Sequence, residues 1–73
     1  MLYNSNMKTN EKIGILLKRH KITIEEIAVA VGVSGKTIYR WHTRENKPHR
    51  IFQRKLDELF TRHEIKYRNK INA

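Results

Sequence analysis

Between positions 34 and 55 the chain carries Lys36, Arg40, Arg44, Lys47, Arg50, Arg54 and Lys55 against one acid, Glu45, so this stretch holds a net +6 of a formal charge of +9. Ammonium and guanidinium groups at that density suit one chemistry above others: donation to phosphate oxygens and to the O6/N7 edge of guanine. At about 100° per residue, Ser34, Thr37, Ile38, Trp41 and Glu45 share one side of a helix, and Lys36, Tyr39, Arg40 and Thr43 the other. A helix anchored by Ile38 and Trp41 would hold its Lys, Arg, Tyr and Thr outward, the shape required to read base edges in a major groove. Cations beyond its end would grip the flanking phosphates. The candidate contact set is therefore Ser34, Lys36, Thr37, Tyr39, Arg40, Thr43, Arg44, Lys47 and Arg50. Ser34 doubles as a helix cap, and the wheel position of Trp41 assigns it to the core.

Other chemistries find little support. There is no cysteine, which removes thiolate zinc sites, disulfides and cysteine nucleophiles. No two of His20, His42, His49 and His63 stand four apart, so no metal is expected and the histidines are read as solvated or phosphate-adjacent. Glu25 and Glu26 are helix neighbours pointing in different directions, and Glu26 is claimed by a cap. Asp57 and Glu58 are expected in solvent as i,i+4 partners of Arg54 and Arg62. No nucleophile, base and orienting group come together, and no glycine-rich phosphate cradle is present. The reading is a non-enzymatic chain without cofactor or small-molecule effector.

Seventy-three residues, 32% of them charged, support one small domain. Residues 1–10 are polar and aperiodic and read as a flexible lead-in. Ile13, Leu16, Leu17 and His20 fall on one helical stripe, predicting a first helix over about 10–20. Thr23 and Glu26 form a capping box ahead of the stripe Ile24, Ile27, Ala28 and Val31, and Gly32 supplies a C-terminal stop. Ser34 caps a third helix reaching about 42–44, so helices two and three are joined by a very short turn and must cross steeply. After Pro48 the stripe Ile51, Phe52, Lys55, Leu56, Leu59 and Phe60 marks a fourth helix. Residues 61–73 lack Gly and Pro but are polar and basic, a tail or a helix extension. The fold class is all-α, a small bundle of four to five short helices.

The run Ile24-Glu25-Glu26-Ile27-Ala28-Val29-Ala30-Val31-Gly32-Val33-Ser34-Gly35-Lys36-Thr37-Ile38-Tyr39-Arg40-Trp41 resembles the core of the phage repressor/Cro-like (XRE-type) helix-turn-helix family. Ile27, Ala28, Val31, Gly32, Val33, Ile38 and Trp41 stand where that family places its apolar residues, small contact alanine and turn glycine. The resemblance covers about residues 11–60, with a basic loop ending in Lys47 and Pro48 and a Leu56/Leu59 helix beyond it. It implies a lambda-repressor-like domain over 11–60 whose third helix, about 34–44, enters the major groove. Three departures stand out: Ile24 replaces a backbone-touching Gln, Gly35 replaces a base-reading side chain, and His42 and Arg44 replace a Glu and a Gly at the helix end.

The resemblance implies a sequence-specific regulator of double-stranded DNA, a repressor occupying an operator as a homodimer. Its setting would be the cytoplasm, on the nucleoid or in a phage host. The alternatives are a DNA-targeting module of a mobile-element system (transposase, terminase or excisionase accessory) and a non-specific basic nucleoid protein. No window has the length and apolarity of a membrane span, and the N-terminal residues lack the apolar run of a secretory signal, so no membrane partner is expected.

Overall fold

The computed structural model describes residues 7–72, and over them the chain is all-helical: α1 Thr9–Lys18, α2 Ile24–Val31, α3 Gly35–His42 and α4 Arg50–Asn72. Of the expected lead-in, residues 1–6 lie outside the described residues, and Thr9 and Asn10 already belong to α1. That helix is shorter than the expected 10–20, because Arg19 caps it and Lys21 turns left-handed at φ 54°.

α2 and α3 form where local chemistry demands. The Thr23 hydroxyl accepts from the Glu26 amide at 3.1 Å while the Glu26 carboxylate accepts from the Thr23 amide at 2.8 Å, so two free N–H groups are satisfied reciprocally. Gly32 sits at φ 92°, and its N–H and that of Val33 both donate to the Ala28 carbonyl, closing α2. Ser34 then accepts from the Thr37 amide at 3.2 Å and opens α3 three positions after α2 ends. α3 ends at His42 and not beyond: Arg44 adopts φ 69°, its N–H donates to the Trp41 carbonyl, and the Glu45 N–H reaches back to Arg40. Thr43 and Arg44 therefore lie past the helix, which stops at the near end of the expected 42–44.

The core is built by Ile13 and Leu16 of α1, Ile27, Ala28 and Val31 of α2, Ile38 and Trp41 of α3, and Leu56, Leu59 and Phe60 of α4. α1 and α2 each pack on both α3 and α4. Ile51, expected on the apolar stripe of α4, is 61% exposed instead, because the buried face of this helix begins with Phe52 and Leu56. No Gly or Pro interrupts residues 50–72, and α4 runs through them as one helix of 23 residues, on the order of 35 Å long. The segment after 60 is thus neither disordered nor a fifth helix up to Asn72.

Three polar ties lock α1 to α4 in parallel. The Thr9 hydroxyl donates to Gln53 at 2.7 Å, Lys12 Nζ meets Asp57 at 2.6 Å, and Arg19 and His20 both hold Glu64, at 2.9 and 2.7 Å. Every pair is 44 or 45 positions apart, the signature of two helices advancing in step. Two expectations change here. Asp57 is bound to Lys12 and Gln53 and not to an α4 arginine, since Lys12 is only 5% exposed and needs a counter-charge. His20 is not solvated: its ring lies against His63 and Tyr67 as well as Glu64.

That cluster makes stability pH-dependent. Partial burial, with His20 just past α1 and Lys66 and Arg62 of α4 nearby, holds the pKa of His63 below its ordinary 6.5. Folding thus favours neutral His63, a contribution complete above about pH 6.5 and lost as pH falls through the lowered value. Thermal melts between pH 8 and 5 should show a declining midpoint below pH 6.5, with a shallower decline in His63→Asn. The same pH dependence in wild type and His63→Asn would contradict this.

Candidate nucleic-acid interface

Ile38 is fully buried and Trp41 is 4% exposed, so α3 is fixed by these two anchors, while His42, half-buried beside Gly14 with its Nδ1 buried, faces α1 and is not solvated as expected. Lys36 and Tyr39 are exposed on α3, Tyr39 at 55%, and Arg40 is half-buried beside them. Trp41 packs near Phe52 of α4, ring centroids 6.3 Å apart, which ties the recognition surface to the bundle. Gly35 opens the helix beside the start of α2: a Cβ there would lie 3.6 Å from Ile24 and 3.9 Å from Glu25, ordinary contact, so the glycine is not sterically demanded.

The hydroxyl groups of the candidate set are partly committed. The Ser34 and Thr37 hydroxyls pair with one another at 3.0 Å at the N-terminus of α3. Thr43, exposed, turns its hydroxyl back to the Arg40 carbonyl at 3.2 Å. One hydroxyl hydrogen of the Ser34/Thr37 pair stays free to donate to a phosphate, whereas Thr43 must first release the Arg40 carbonyl.

The cations divide into two groups. Lys36 and Arg40 stand on α3, whereas Arg44 and Lys47 belong to the loop after it, and Arg50 starts α4. Arg44 and Lys47 line one cleft of about 670 Å³ whose opposite wall is the start of α1, with Lys8, Thr9, Asn10 and Lys12, and whose remaining lining includes Trp41, Gln53 and Asp57. Arg50 lies on a different surface, shared along α4 with Arg54 and Arg62. Sequence reasoning missed Lys8 and Asn10, because 36 positions separate Lys8 from Arg44 and only the packing of α1 on α3 and α4 brings them together.

Among the described residues no group of acidic, His or Cys side chains could hold a metal ion, and no helix is long and apolar enough to cross a membrane. Two helices joined at Gly32, the second presenting a cationic surface over a buried Ile/Trp anchor, form a helix-turn-helix unit. In agreement with that geometry, the family model described as a Homeodomain-like domain matches residues 9–48. No curated protein and no solved structure matches the chain.

Proposed function

Because the chain belongs to the Homeodomain-like domain family, a helix-turn-helix DNA-binding class that spans α1 to Pro48 here, we propose that it is a sequence-specific regulator of double-stranded DNA. α3 lies in the major groove, where Lys36 and Arg40 donate to base edges. Ser34, Thr37, Tyr39, Thr43, Arg44, Lys47 and Arg50 contact sugar and phosphate and set the register. The single observation carrying this reading is the exposed cationic side of α3 opposite its buried Ile38 and Trp41.

Regulation is repression by occupancy of an operator, in the manner of the phage repressor/Cro-like proteins the motif resembles. The chain acts as a binding module and not an enzyme, on nucleoid DNA in the cytoplasm. One short helix covers only a few base pairs, so two copies bind as a two-fold homodimer on half-sites about 34 Å apart. The outer surface of α4, with Ile65 and Ile71 exposed, is the contact between them.

A second reading is the DNA-targeting module of a mobile element, to which a homeodomain-like match is equally suited. An asymmetric footprint with one protein per minimal duplex would favour it over the repressor.

Electrostatics supplies the first test. With about five phosphates neutralised, log Kobs should fall against log salt with a slope of about −4 to −5. Fluorescence anisotropy over a salt series measures it, and a slope near zero would sink the proposed footprint.

A further inference from the structure

Arg44 stands where a glycine is preferred. It occupies the left-handed position that closes α3, at φ 69°, with the Glu45 N–H on the Arg40 carbonyl at 2.8 Å and its own N–H on the Trp41 carbonyl at 3.2 Å. Glycine takes this conformation freely, whereas a Cβ there collides with the following carbonyl. Strained backbone positions cluster at ligand clamps and active sites; Lys21 shares the conformation without facing a cleft, so for Arg44 it is the cleft beside it that points to a ligand.

The side chain of Arg44 lines the cleft between the α3–α4 loop and the start of α1, together with Lys47 and Lys8. Among the described residues these three cations make no ion pair. The one acid in the lining, Asp57, is already neutralised by Lys12 at 2.6 Å and held by Gln53 at 2.9 Å. α1 starts at the same cleft, the positive end of its dipole partly offset by the Glu11 carboxylate that accepts from the Lys8 N–H at 2.9 Å. Asn10 and Asn46 supply further hydrogen-bonding groups. At about 670 Å³ the cleft has room for a sugar-phosphate segment.

We propose that this cleft is a phosphate-ester subsite that grips the DNA backbone just outside the bases read by α3, and that Arg44 is kept in its strained conformation to serve it. The inference rests on the DNA-binding reading and extends the interface to α1, adding Lys8 and Asn10. A free phosphate ester, such as a nucleotide, shares this chemistry and would compete for the same groups.

The experiment compares wild type with Lys8→Ala, Arg44→Gly and Lys21→Gly. Lys21 is also left-handed, at φ 54°, and exposed, but lies outside the cleft, so its variant controls for both the backbone change and the lost charge. Melting should show Arg44→Gly at least as stable as wild type. On a selected duplex, Lys8→Ala and Arg44→Gly should each bind several-fold more weakly, with a salt slope shallower by about 1 and unchanged base preference. Lys21→Gly should bind as wild type does.

If wild type binds the duplex but both cleft variants keep its affinity and slope, the DNA subsite is wrong. If wild type binds no DNA, it is the DNA-binding reading that fails, and titration with inorganic pyrophosphate decides the cleft by itself. Amide shifts confined to residues 8–12 and 44–47, lost in Arg44→Gly, would support a free phosphate ester as the occupant. Their absence would overturn the subsite.

Discussion

Trp41→Ala is expected to cost the fold about 3–5 kcal/mol, the range for deleting a large aromatic from a well-packed core. The indole is 4% exposed, packs with the core residues of all four helices as one cluster, and faces the Phe52 ring at 6.3 Å. Removing it leaves a cavity that short helices pinned by capping turns cannot close without shifting α3. A domain of this length has roughly 4–11 kcal/mol of stability in total. The variant should therefore be largely unfolded or melt far below wild type, and Trp41→Phe should lie between them. Urea denaturation followed by circular dichroism measures this directly. A midpoint within experimental error of wild type would mean that Trp41 is not the anchor of α3.

The second large effect concerns recognition. Arg40→Ala should lose about 1–3 kcal/mol on the specific duplex, the worth of one bidentate guanine contact, or about 5- to 150-fold in affinity. On random DNA the loss should be smaller, because there the side chain contributes charge alone. Arg40 makes no ion pair among the described residues, so its truncation should leave melting nearly unchanged. Equal losses on both DNAs would make Arg40 a phosphate contact and transfer base reading to Lys36 and Tyr39.

How much of this was legible in advance depends on the range of the forces involved. The bounds of α2 and the start of α3 are set within three or four residues, by Thr23 with Glu26, by Gly32 and by Ser34, and sequence alone located them. The burial of Ile38 and Trp41 likewise follows from helical spacing. The end of α3 was less accessible, because an arginine takes the left-handed turn that a glycine would have announced. The ties of Lys12 to Asp57 and of Arg19 and His20 to Glu64 join groups 44 or 45 positions apart, and no local pattern reveals them. For that reason Asp57 and His20 read as solvated until α1 and α4 were seen side by side. The outward cationic side of α3 was readable, while the cleft that joins Arg44 and Lys47 to Lys8 exists only in the packed bundle.

The central claim, that α3 reads sequence in double-stranded DNA, is tested most directly by selecting binders for the purified protein from a pool of random duplexes. Enrichment of one defined motif is predicted, bound well above unselected DNA, with Arg40→Ala or Lys36→Ala relaxing the preference at particular base pairs. Recovery of duplexes with no shared motif, bound no better than the starting pool, would contradict it.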